Sequence, residues 1–248
     1  MERWTQEKIS LDAAYGGERF TVHLALPTNA QPPFQVVVHF PGAYALLQDK
    51  FEPSWIEEEG LDFLPASGRA LIWPVYEGTY ERRDDLRPGG PGSNPPASWR
   101  DHLIAISKDL GRALDYLETR RDIDVTRVAY HGFSLGGGLG PVRVAVEKRI
   151  QAAILVSGGF WMDRALPEAD PFHFAAHIQI PTLMLSDRYD SLFSVELSQL
   201  PLFDALGTAG VDKRRVIFES GHGGMPHNEH IRETLDWLDK YLGPVQRN

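Results

Sequence analysis

Cysteine is absent from all 248 residues of this chain. That excludes disulfide bridges, a thiolate nucleophile and a cysteine-held zinc ion, and it fits a reducing compartment. Apolar runs of membrane-spanning length are missing as well. The first residues, Met1-Glu2-Arg3-Trp4-Thr5-Gln6-Glu7-Lys8, lack the apolar core of a signal peptide, so a cytoplasmic location is expected. No cluster of Lys and Arg interrupts a net charge of −9, which argues against nucleic-acid and membrane partners. Internal repeats and an interdomain linker are also lacking. With 42% hydrophobic residues, the chain can build one sizeable core, and a single domain over residues 1–248 is expected.

What is present alternates between two periodicities. Phe20, Val22, Leu24 and Leu26 recur at every second position, the pattern of a strand with one face inward. Residues 8–13 read as its antiparallel partner, turned at Gly16-Gly17. Residues 34–40 and 69–75 are continuous apolar runs, as in strands covered on both faces. Leu103, Ile106, Leu110, Ala113, Leu114 and Leu117 mark a long amphipathic helix over about residues 98–120. Short strands are predicted at 125–130, 152–156, 182–186 and 215–219, with Ile231, Leu235, Leu238 and Leu242 on one face of a last helix. Strand–helix alternation of this kind predicts a mostly parallel sheet with helices on both faces. Two connections stand apart. Residues 82–96 carry too many prolines and glycines for a regular element, and 159–178 carry Phe160, Trp161, Phe172 and Phe174; both are candidate cap or lid segments.

Gly132-Phe133-Ser134-Leu135-Gly136 reads G-x-S-x-G and sits between a predicted strand and a predicted helix. In that context the pattern places a serine hydroxyl, exposed for attack, on a sharp turn. Pro141 falls in the early helix, where it removes an amide donor. An alkyl hydroxyl needs a base, and the base needs a carboxylate to orient it. His222, in Ser220-Gly221-His222-Gly223-Gly224 after the last predicted strand, is the best-placed base. His227 and His230 open the terminal helix and read as solvent-facing or capping, His131 as structural, and His39 as a core or site-bordering residue. The acid follows the strand at 182–186. Asp187 and Asp190 both qualify; a position a few residues past the strand favours Asp190. Amides of Leu135 and of Ala43 or Tyr44, after Pro41-Gly42, are candidates to stabilise an oxyanion. Tyr44, Trp161 and Phe193 are candidate pocket aromatics.

Five stretches give the chain a family likeness: residues 12–19 (DAAYGGER), Phe40-Pro41-Gly42, Gly78-Thr79-Tyr80-Glu81-Arg82, Arg188-Tyr189-Asp190 and residues 237–244 (WLDKYLGP). Together with the serine turn they resemble the α/β-hydrolase superfamily. The branch is the one holding dienelactone-hydrolase-like, acetyl-xylan-esterase-like and prolyl-oligopeptidase-like domains. More narrowly, the chain looks like hydrolase domains at the C-terminus of some bacterial serine/threonine protein kinases. The resemblance implies an α/β-hydrolase fold: a mostly parallel sheet with antiparallel N-terminal strands and a small cap or loop lid. It implies Ser134 as nucleophile, Asp190 as acid and His222 as base. The triad predicts a serine carboxylesterase that needs neither cofactor nor metal, and the short cap predicts short- to medium-chain esters of small molecules as substrates. Two departures matter. Glycine is frequent in such hydrolases where this chain has Asp187, and dienelactone hydrolases themselves use a cysteine that this chain lacks.

Other chemistries lack part of the residue set they need. His173 and His177 are four apart, but no glutamate follows the first and no third ligand is evident for zinc. Gly136–Gly140 lacks the Lys-Ser/Thr of a phosphate loop. Asp84-Asp85 and Glu57-Glu58-Glu59 read as solvated charge. An amide-cleaving peptidase or a catalytically idle regulatory module would use the same fold.

Overall fold

The computed structural model describes residues 4–246. Eight strands form one sheet: β1 Trp4–Asp12, β2 Arg19–Pro27, β3 Phe34–Phe40, β4 Ala70–Pro74, β5 Ile123–Phe133, β6 Ile150–Val156, β7 Thr182–Asp187 and β8 Lys213–Phe218. Their order is β1-β2-β4-β3-β5-β6-β7-β8. The first two pair antiparallel with each other, β2 runs antiparallel to β4, and every later neighbour is parallel. The helices are α1 Trp55–Glu58, α2 Phe63–Ala66, α3 Pro96–Glu118, α4 Leu135–Val146, α5 Pro171–Ala175, α6 Leu200–Ala205 and α7 His227–Leu242.

The strand pleat sorts the core into two. Val36, Val38 and Phe40 join the apolar stripe of α3 (Leu103, Ile106, Leu110) on one face. Val37, Ala129 and Val156 join Trp237 and Leu238 of α7 on the other. His39 and His131, two positions on from Val37 and Ala129, therefore point to the α7 face. Their register is direct: His39 pairs with His131 and Phe40 with Gly132. The parallel strands thus end together, and the loops leaving their carboxyl ends are brought side by side.

α3 opens with Pro96 in its first turn, where a missing amide costs nothing. The sequence predicts a helix over 135–149; α4 runs on through Pro141 but stops at Val146. There Glu147 turns extended, and its carboxylate takes the Arg149 amide. The stripe buried from α7 centres on Thr234, Trp237 and Leu238, with Ile231 and Leu235 at its margins.

Residues 82–96 hold two short 3₁₀ turns, one entering at Tyr80–Arg82 and one at Pro91–Ser93. Asn94 ties this segment together by accepting from the Arg87 amide and donating to the Arg87 and Gly90 carbonyls. Residues 159–178 hold a 3₁₀ turn and α5. The two segments meet where Trp161 lies on Gly90 and Asp163 on Gly92, so closely that a side chain at either glycine would collide. Among the described residues no helix is long and apolar enough to cross a membrane.

Candidate active site

Ser134 stands alone between β5 and α4, at φ 52° and ψ −106°. L-residues seldom adopt this backbone, and it costs on the order of 1–3 kcal/mol unless the surroundings enforce it. Here they do. The Ser134 amide donates to the Val156 carbonyl, and the Gly138 amide donates to the Ser134 carbonyl. The motif glycines answer to space: a side chain at Gly132 would strike the Gly136 backbone, and one at Gly136 would strike the Phe40 carbonyl. As a whole residue, Ser134 is only 7% exposed. Flanking strand ends wall in its main chain, and an imidazole covers its hydroxyl.

That imidazole is His222, in the loop between β8 and α7. Its Nε2 lies 2.7 Å from Ser134 Oγ and its Nδ1 lies 2.8 Å from Asp190 Oδ2. An ionised carboxylate only accepts, so Nδ1 carries the proton and Nε2 is left to accept from the serine. Asp190 is held in turn: its Oδ1 accepts from the Leu192 and Phe193 amides at 2.8 and 2.9 Å. Its side chain is fully buried, whereas that of His222 keeps 20% exposure. Gln199 closes the acid loop by donating to the carbonyls of Asp187 and Phe193. Asp187, the other carboxylate left open by the sequence, does not reach the imidazole. It accepts instead from Ser157 Oγ, Ser220 Oγ and the Gly223 amide.

The amides named as oxyanion donors head two helical turns. Ala43 and Tyr44 begin the 3₁₀ turn Ala43–Leu46 behind Gly42, and Leu135 begins α4. First-turn amides have no partner within their own helix, and the α4 dipole adds positive potential there. The Gly136 amide donates to the Pro41 carbonyl at 3.2 Å and ties the two turns together.

Aromatic rings crowd the imidazole. Phe193 lies 6.1 Å from His222 and carries Trp161 edge-on at 5.5 Å. Tyr44 stacks on Trp55 at 5.6 Å, and burial pushes its hydroxyl well above the usual phenol range, beside Tyr80 and Glu59. Phe133, given no role in the sequence reading, lies 5.9 Å from His222 and faces Tyr44 across Gly42. Its place directly before the nucleophile is the signal that could have found it.

No family model matches the chain. A curated relative, the cutinase est2 of Thermobifida alba, is 26% identical over 234 aligned positions, covering 80% of this chain and 73% of the relative. A cold-adapted esterase from an Arctic intertidal metagenomic library superposes with a TM-score of 0.73 at 22% identity, covering 97% of this chain and 95% of that one. A dienelactone hydrolase, so described, from Klebsiella pneumoniae superposes with a TM-score of 0.74 at 18% identity, covering 96% and 99%. The chain has the α/β-hydrolase fold.

Beside the Ser134–His222–Asp190 contacts lies a second group of histidines. His39 Nδ1 is 3.0 Å from His131 Nδ1, and His131 Nε2 is 3.3 Å from His230 Nε2. His230 is therefore not solvent-facing, as its place in the first turn of α7 had suggested; its ring turns inward against Phe63 and His131. Burial pushes His39 down to about 3 and His230 to about 4, and holds His131 well below the usual imidazole range, so all three are neutral near pH 7. They line a cavity of about 300 Å³ with Phe133, Met225 and Glu59. Among the described residues, no three His, Asp or Glu side chains are arranged to hold a metal. His173 and His177 are both exposed, and α5 ends at Ala175, before the second of them.

Proposed function

We propose that this chain is a serine carboxylesterase of short- to medium-chain esters. The reading rests on the unbroken path Ser134 Oγ–His222–Asp190, with contacts of 2.7 and 2.8 Å. Ser134 Oγ adds to the ester carbonyl carbon while its proton passes to His222 Nε2. The carbonyl π electrons move onto oxygen, where the amides of Leu135 and of Ala43 or Tyr44 receive the charge. Collapse breaks the carbon–alkoxide bond, and the departing alkoxide takes the proton from His222. Water then repeats the addition, giving its proton to His222, and collapse returns that proton to Ser134 with release of the carboxylic acid. Asp190 fixes the tautomer throughout and stabilises the transient imidazolium.

A small substrate is supported by the narrowness of the site. Ser134 is almost covered, Phe133 and Phe193 flank the base, and residues 82–96 and 159–178 touch beside it. The names of the relatives, a cutinase and an esterase, favour ester over amide bonds. The test is hydrolysis of p-nitrophenyl acetate, butyrate, octanoate and palmitate beside an aminoacyl p-nitroanilide. Turnover highest from acetate to octanoate is expected. Faster cleavage of the anilide would make the chain a peptidase, and no turnover of any of them would make it an idle module.

A further inference from the structure

We infer that Asp187 is a positioning residue: a buried carboxylate that holds the His222 loop in register with Ser134. Its catalytic consequence rests on the proposed esterase reading; its structural consequence does not. Asp187 ends β7, opposite Phe218 of β8, and is wholly buried. Among the described residues no Lys or Arg pairs with it. A buried charge without a counter-ion is expensive, and it persists only where hydrogen-bond donors replace water.

The three donors come from two loops. Ser157 follows β6 and gives a hydroxyl at 2.6 Å from Oδ2. Ser220 gives a hydroxyl at 2.6 Å from Oδ1, and the Gly223 amide reaches Oδ2 at 3.0 Å. Ser220 and Gly223 stand two residues before and one residue after His222. The carboxylate therefore grips the base's loop on both sides of the base and fastens it to the end of β6. Ser157 itself has φ 47°, and its amide is bound to the Leu185 carbonyl, so the anchoring hydroxyl is held by its backbone. One carboxylate, Asp190, thus touches the imidazole, while a second, three residues earlier, fixes the loop that presents it. Glycine at position 187 would leave Ser157, Ser220 and Gly223 without their shared acceptor.

The test compares Asp187→Ala, Asp187→Asn and Ser220→Ala in the full chain. Displacing a catalytic group by about 1 Å costs roughly 10²-fold. Asp187→Ala is therefore expected to lower kcat about 10²-fold on p-nitrophenyl butyrate with KM nearly unchanged. Asp187→Asn keeps an acceptor for Gly223 and Ser157 and should restore most of kcat. Ser220→Ala, which removes one donor of three, should cost only several-fold. Independently of turnover, the downfield proton resonance of His222 Nδ1–H against Asp190 should be sharp in the wild type and in Asp187→Asn, and broadened in Asp187→Ala. A kcat and a resonance unchanged in Asp187→Ala would overturn the inference. So would an Asp187→Asn variant that folds yet is as slow as Asp187→Ala or Asp190→Ala. If Asp187→Ala does not fold, Asp187→Asn and Ser220→Ala still decide: a full loss in the first or no loss in the second would contradict the bracket. A wild type with the sharp resonance but without turnover would sink the esterase reading and leave the bracket standing.

Discussion

His222 and the row His39–His131–His230 put the same side chain into two kinds of company. His222 has a carboxylate on one nitrogen, a hydroxyl on the other and a side chain 20% exposed. The row has imidazole against imidazole, on the buried α7 face, and burial keeps its members uncharged. An imidazole can serve as a base only if its cation is stabilised as it forms. Asp190 can do that for His222. For His131, a proton gained would meet two other nitrogen rings and no carboxylate in contact. The difference lies in the partners, and it separates the histidine proposed to react from histidines that pack and exchange hydrogen bonds.

The sharpest way to break this comparison is to remove the side proposed to react. Ser134→Ala or His222→Ala should each lower kcat by roughly 10⁴-fold or more, and the double variant should be hardly worse, because groups acting as one unit do not lose activity additively. Steady-state hydrolysis of p-nitrophenyl butyrate checks this, and multiplicative losses would separate the two residues. Next in size is Asp190→Asn, which preserves the shape but offers His222 the wrong hydrogen-bonding partner; a fall of about 10³–10⁴-fold in kcat is expected.

The buried row makes the opposite kind of contribution, to stability and with a definite sign. His39, His131, His230 and the buried His102 have folded-state values pushed below that of the unfolded chain. Unfolding therefore takes up protons between about pH 6.5 and the folded values near 3–4. Stability is full above about pH 6.5 and falls on acidification through that window, by up to about 1.4 kcal/mol per pH unit for each proton taken up. Urea unfolding at pH 7.5, 6, 5 and 4.5 should show this slope; a flat dependence would mean that the row is not neutral. Smallest of all, His131→Leu should leave kcat within a few-fold of wild type while flattening the acid slope. A large loss of kcat there would join the row to the reaction and erase the contrast.

Much of this architecture could be read from residue patterns because the signals were local. The apolar run 34–40 became β3 with the same ends, the alternation from Phe20 to Leu26 became β2, and Gly16-Gly17 turned the first hairpin. Boundaries shifted where a side chain outside the pattern decided them, as Glu147 does at the end of α4. The site divides the same way. Ser134 and His222 were marked by their glycine-rich surroundings, and the structure brings the two together. Spacing favoured Asp190 over Asp187 without deciding the choice, since the predicted strand stopped at 186 and β7 runs on to Asp187. The choice turns on a loop closed by Gln199 and on the Leu192 and Phe193 amides, contacts between residues whose patterns are unremarkable. The depth of Ser134 and the inward turn of His230 were illegible for a related reason: both depend on what another loop or strand lays against them.

The most direct measurement is intact-mass and peptide analysis after exposure to a fluorophosphonate. One adduct is expected, on Ser134, formed quickly in the wild type, absent in Ser134→Ala and slowed by orders of magnitude in His222→Ala. A folded wild type that takes no adduct, or an adduct that survives in Ser134→Ala, would contradict the account.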